Sequence, residues 1–460
     1  MADVSTAPRR VDAVTLLTAY VFLLTIIPSS LVVGSFGASG APAALFAAIL
    51  LCWYVLARLH PGISQDRGPQ PVRVAAIFFG CAIVAAYVAA NRTTMPVLQQ
   101  NGADRGLIVL SGWLGVLLLA ADGIDRADRL EALLRRVVMC VTAMAALGII
   151  EFFTGVDATK YVSIPGLTVH TQFTDLMNRG GLVRAIATAA QPLEFAAVLA
   201  MSLPLAIHQA RFAPPPLRTR RWLRAALIAG ALPMTVSRSA IFGLAVIGIV
   251  LFPTWPKRER RRAYVVLVAS FVIVWLAKPS MLRSFGALFG HIGTDTSIAS
   301  RTGAYSAAAP FIAEHPWFGH GFQTFFPQTY FFVDNEYLMS LIEIGVVGLL
   351  ALLALFVTGW FTARSARLAA ADAQNRDLAQ CLAASVAAAG VCFGTFDALS
   401  FSIAPGLCFL LLGCVGAAWR LARARQQSER AEGRGAVWTE ERGTSDEGRR
   451  RLKSAPEASG

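Results

Sequence analysis

Runs of about 20 residues without a single charge recur along this chain, Ile344 to Ala363 and Ala398 to Trp419 among them. A helix rises about 1.5 Å per residue, so each run matches about 30 Å of bilayer hydrocarbon. No other feature limits the fold as strongly. A chain that is 55% hydrophobic and 15% charged, with mean hydropathy +0.56, has more apolar surface than one soluble core can hide. The fold class that follows is an all-α, polytopic integral membrane protein. The first apolar run, after the polar start MADVSTAPRR, is too long for a signal-peptide core and lacks a small-residue cleavage site, so it reads as a retained span.

About twelve spans fit the pattern: 13–33, 40–59, 72–90, 105–122, 133–154, 191–210, 222–236, 239–255, 263–282, 338–360, 379–396 and 403–420. With residues 1–12 in the cytoplasm, 32 of the 41 Lys and Arg fall at cytoplasmic span ends and loops and 9 at external ones. The runs at 218–224 and 257–262 are short and close to spans, where basic residues best report the inner side. Both termini are therefore expected in the cytoplasm, around a membrane domain of residues 13–420. Two external loops are long, about 155–190 and 283–337, the latter between spans nine and ten. They are the candidate active surfaces. The tail, 421–460, mixes charges of both signs with Gly and Ser and is expected to be a disordered cytoplasmic segment.

The composition also excludes. The seven cysteines fall inside expected spans with no Cys-x-x-Cys pair and no histidine at ligand spacing, which speaks against a metal. The net charge of +13 belongs to span flanks and not to an aromatic-studded basic face, so nucleic acid is not an expected partner.

A charge inside a bilayer costs on the order of 3 kcal/mol at a helix centre, so its position points to function. Glu151, Arg184, Glu194, Arg238, Glu343 and Asp397 all fall within about two turns of the external face on this topology. That arrangement suits a cavity open to the outside. A transporter would place polar groups near the midplane in two repeated halves. Arg238, at a turn between two spans, and Arg184, in the external loop before its span, can be snorkelling interfacial residues or forks for phosphate oxygens. Arg301 is a third candidate of the same kind. Asp334 and Asn335 can cap the helix that follows, or Asp334 can serve as a base with Asn335 orienting sugar or phosphate. Glu336 and Glu343 compete for the base role. His320, between two glycines, is either a surface residue or a substitute base. The aromatic run Phe322 to Phe332 fits interfacial anchoring or stacking on sugar rings.

Four motifs carry a resemblance. Asp334-Asn335, nine residues, then Gly345-Val-Val-Gly348 resembles the His-Asn, nine residues, Gly-x-x-Gly pattern of the O-antigen ligase and polymerase family, with Asp334 in the place of the His. Pro316-Trp-Phe-Gly-His-Gly-Phe resembles its Pro-x-x-Gly-x-Gly-x loop, and Ser237-Arg238 its Ser-Arg turn. Arg184 before Gln191-Pro192 resembles an arginine that approaches a His-Pro pair. The likeness covers about Gly180 to Trp419. It implies a metal-independent glycosyltransferase of the cytoplasmic (inner) membrane, without a cofactor, that transfers or polymerises oligosaccharide from an undecaprenyl diphosphate carrier at the external face. Arg184 and Arg238 would meet the diphosphate, and Asp334 would take the acceptor proton. Partners implied are the lipid-linked oligosaccharide, membrane lipids and other polysaccharide-assembly proteins. A transporter or flippase of the same lipid-linked sugar is the alternative, and an inactive scaffold a third reading. The motifs do not separate polymerase from ligase.

Overall fold

The computed structural model describes residues 12–34, 40–60, 68–92, 94–169, 178–179, 182–265, 296–327 and 329–453. The helices are α1 (Ala13–Ile26), α2 (Pro42–Leu59), α3 (Pro71–Ala90), α4 (Val97–Gly123), α5 (Ala127–Thr154), α6 (Pro192–Arg211), α7 (Pro215–Met234), α8 (Arg238–Leu251), α9 (Thr296–Glu314), α10 (Glu336–Glu343), α11 (Gly345–Ala369), α12 (Ala373–Phe393) and α13 (Ile403–Lys453). Among the described residues, eight helices are long and apolar enough to cross a membrane: α2 to α6 and α11 to α13. The apolar helices α1 and α8 are shorter, and α7 carries the basic run of residues 218–224. The expected ninth span lies outside the described residues apart from 263–265.

Local chemistry sets the helix boundaries. Proline opens α2, α3, α6 and α7, where its missing N–H would have had no helical partner. Asp12 caps α1 by accepting from the Thr15 amide at 2.9 Å, and Asp372 caps α12 through Asn375 at 2.8 Å. Gly155, at φ +71°, ends α5 in the left-handed conformation that a side chain would resist.

Helix α6 is the axis. Nearly every residue from Phe195 to Ala206 is buried, because α5, α7, α8 and α12 surround it. Small residues let these helices approach. A Cβ added at Gly243 of α8 would lie 2.8 Å from the Ala200 methyl of α6, and one added at Gly413 of α13 would fall 2.7 Å from Ala120 of α4. Between helices, β1 (Leu31–Val33) pairs antiparallel with β2 (Leu167–Val169), and β3 (Asn178–Arg179) with β4 (Leu182–Val183).

Three expectations change. The span expected at 338–360 is two helices, broken at Ile344, because a loop docks into the gap. Val346 and Val347 donate to the carbonyls of Pro316 and Trp317 at 2.9 and 3.2 Å, while His320 and Gly321 donate to Ile342 and Glu343 at 3.0 and 2.8 Å. The span expected to begin at 105 belongs to a helix that begins at Val97, which puts Arg105 two turns inside it. The tail expected to be disordered continues α13 to Lys453. Its Ala, Arg, Gln and Glu residues are good helix formers, and Arg425 pairs with Glu429 one turn on at 3.2 Å.

The two ends of the bundle differ in chemistry. At one end, loops cross-link the helix starts: Ser29 donates to Thr188 at 2.9 Å and Gln323 to Leu399 at 2.9 Å. At the other, ion pairs dominate, with Asp122 bound by Arg58 and, at 2.8 Å, by Arg73. Helix α8 runs from the first end to the second, so Arg262 and Trp317 belong to opposite ends. Reporters fused after these two residues, phosphatase in one series and a fluorescent protein in the other, should signal opposite sides of the membrane. Signals from the same side would overturn this arrangement.

Candidate active site

The loop end is built around four buried glutamates that hold backbone. Glu151 of α5 accepts from the amides of Ile186 and Ala187 at 3.1 and 2.7 Å. Glu194 of α6 accepts from Ala190 at 2.9 Å and from Ile403 and Ala404, at the start of α13, at 2.7 and 3.2 Å. Glu336 of α10 accepts from Ser340 and from the Leu399 amide, both at 2.8 Å. Glu343 accepts from the Phe325 amide at 3.1 Å. Each carboxylate satisfies N–H groups that no helix can pair, which a membrane interior requires. Glu336 and Glu343, singled out from the sequence as substrate ligands or rival bases, are thus engaged in shaping loops.

These clamps present two arginines on one turn. The extended segment after β4 lies along the end of α7, with the Ala185 amide donating to Met234 at 3.1 Å. The Arg184 Nε donates to the Thr235 carbonyl at 2.9 Å. Val236 then takes φ +44°, a conformation that a β-branched residue rarely adopts, and the chain turns into α8. Arg238 is the first residue of that helix, which Ser237 caps through the Ser239 amide at 3.2 Å. Ser239 in turn meets Thr395 hydroxyl to hydroxyl at 2.6 Å, two residues from Asp397. Asp334, half-buried, lies near enough for its charge to act on Asp397. The structure therefore places Arg184 and Arg238 at the turn into α8, ties that turn to Thr395 two residues before Asp397, and puts Asp334 within reach of Asp397. Burial, with the Asp334 charge adding to it, pushes the Asp397 carboxyl up to about 7.

The remaining candidates divide. Asn335 realises the cap, accepting from the Tyr337 amide at 2.9 Å while its amide donates to the Tyr305 hydroxyl of α9 at 3.2 Å. His320 sits against α9, its Nε2 donating to the Phe311 carbonyl at 3.0 Å, and burial pulls its imidazole below the ordinary histidine value. Arg301 is on α9, and its side chain lies outside the described part of the structure. Sequence reasoning passed over Arg105. Its buried Nε has no hydrogen-bond partner among the described residues. It lines a small cavity with Gln323, Ser400 and Ser402. The available signal was an arginine between Gly102 and Gly106, glycines that admit the loop backbone at Phe322 and Gln323.

One group among the described residues has metal-ligand geometry, His208, Asp377 and Cys381, at the opposite end of the bundle. The sequence had offered Cys381 no histidine; the tertiary structure supplies one from α6. Asp377 is already held by His208 Nδ1 at 2.7 Å and by Arg211, which also reaches Glu259 at 2.5 Å. The guanidinium stands where the carboxylate would otherwise call for a cation.

Fold and site together define a class: a polytopic helical membrane protein with a polar, arginine-bearing site at one end, built from loops between spans. Residues 223–353 match the family model described as O-antigen ligase. The match supports assigning the chain to the O-antigen ligase and polymerase family. It takes in the Ser237-Arg238 turn, Asp334-Asn335 and Gly345 to Gly348, and covers less than a third of the chain. No curated protein matches the chain.

Asp397 makes the site sensitive to pH. A carboxyl whose folded value is raised stabilises the fold at low pH and loses that contribution as pH rises through about 7. The melting temperature of the purified protein should therefore fall as pH rises from about 4 to about 7 and level off above that, and Asp397→Asn should flatten the decline. An unchanged slope in that variant would remove Asp397 as its source.

Proposed function

We propose that this protein is a membrane glycosyltransferase that transfers or polymerises oligosaccharide from an undecaprenyl diphosphate carrier at the external face of the cytoplasmic membrane. The convergence of Arg184 and Arg238 on one turn, beside Asp334 and Asp397, carries the reading. An acceptor sugar hydroxyl attacks the anomeric carbon, the glycosidic bond forms, and the lipid diphosphate leaves with the bonding pair. Arginines fixed beforehand offset the negative charge that develops on the leaving group. Asp334 takes the hydroxyl proton. The basic end of the bundle faces the cytoplasm, as the distribution of Lys and Arg supports.

The test is transfer of labelled repeat units from lipid-linked donor in proteoliposomes without an ion gradient. Arg184→Lys and Arg238→Lys keep the charge but lose the bidentate fork, and each should cost on the order of tenfold or more. Lys160→Gln, which removes a positive charge outside the turn, should cost little. Asp334→Asn should abolish transfer while carrier binding persists, and Asp334→His should retain measurable activity. Equal losses at all three basic positions would sink the arginine clamp. Translocation of donor without transfer would favour the transporter reading.

A further inference from the structure

Away from the arginine turn, the α3 and α4 face of the bundle carries two adjoining cavities of opposite character. The first, about 670 Å³, runs along both helices and is lined by Ile77, Gly80, Val84, Val88, Leu110 and Leu114. From Ile77 to Val88 the helix rises about 17 Å, close to the depth of one leaflet. The second, about 420 Å³, lies beyond the end of α3 and is polar, lined by Thr94, Gln99, Glu314 and His315 with Trp317. Ala89 and Phe318 line both cavities, and Arg92 stands at the upper end of the first. Trp317 is 65% exposed, a wide apolar ring at the mouth of a polar pocket.

Along this face the lining reads hydrocarbon, then a guanidinium, then hydrogen-bonding groups with an aromatic plane. A lipid-linked glycan has the same order: polyprenyl chain, phosphate, sugar. We infer that the α3 and α4 groove and its polar extension bind a second lipid-linked glycan, with the prenyl chain against α3 and α4, phosphate at Arg92, and sugar against Trp317, Glu314 and Gln99. This rests on the glycosyltransferase reading, in which donor and acceptor can both be membrane-borne. Arg92 suits phosphate oxygens through its planar fork, and the ring of Trp317 suits the apolar face of a sugar. The motif glycines contribute: Gly319 and Gly321 form the turn that sets Phe318 between the two cavities, with φ of +65° and +107°.

Cys81 lines the apolar cavity and is exposed, so it reports occupancy directly. The full chain carrying Cys52→Ser, in lipid nanodiscs, is treated with a membrane-permeant maleimide, and the alkylation rate of Cys81 is followed by mass spectrometry. Polyprenyl-diphosphate-linked oligosaccharide should slow alkylation by about fivefold or more, and phosphatidylglycerol at the same mole fraction should not. Arg92→Gln should lose most of the protection. Equal protection by phosphatidylglycerol would mean an ordinary annular lipid and overturn the inference, as would no protection at all. Full protection in Arg92→Gln would overturn the phosphate assignment. An Arg184→Gln/Arg238→Gln variant should lose transfer and keep Cys81 protection. Protection by the lipid-linked glycan in a protein that shows no transfer would sink the glycosyltransferase reading and leave the binding site standing.

Discussion

Backbone that leaves a helix inside or beside a bilayer must find partners within the protein, because hydrocarbon offers none and each unpaired group costs several kcal/mol. At the loop end of this molecule, glutamates meet that demand. A carboxylate accepts several hydrogen bonds at once, so Glu194 alone ties the segment before α6 to the start of α13. Glu151 holds the residues that follow Arg184, and Glu336 holds the turn between α12 and α13 that carries Asp397. The buried acids are thus the frame on which the arginines and aspartates are placed. Removing one would release a loop.

The two glycine motifs are the halves of a single contact. Gly345 takes φ +64° where α11 restarts, and Gly319 takes +65° in the loop that docks there. A side chain at Gly345 would collide with the backbone at Trp317, and one at Gly319 with the backbone at Glu343. This contact breaks what the hydropathy alone describes as one span.

The opposite end is held together differently. Asp122 gathers Tyr54, Arg58 and Arg73, with Arg420 donating to backbone carbonyls beside it. Asp377 gathers His208 and Arg211. Breaking a buried pair by removing one partner is costly, so these networks pin α2, α3, α6 and α12 at the basic end. With one end locked by ion pairs, adaptable loops and unusual backbone conformations are concentrated at the other, where the proposed chemistry lies.

The sequence by itself determined the class and supplied the motifs on which the proposed site rests. The eight helices long and apolar enough to cross a membrane each overlap an expected span, because an uncharged run of about 20 residues is a local property that the bilayer length makes decisive. The Ser237-Arg238 turn, Asp334-Asn335 and the glycine pairs were likewise legible as short motifs. The tertiary structure decided which polar groups are already occupied. Glu336 and Asp334 look alike in the sequence two residues apart, yet one clamps Leu399, some sixty positions away, and the other stands half-buried beside Asp397. Arg105 stood at the very start of an expected span until α4 proved to begin at Val97. The physical reason is common to all of these: a buried polar group is defined by its hydrogen-bond partners, and in this fold the partners come from distant parts of the chain.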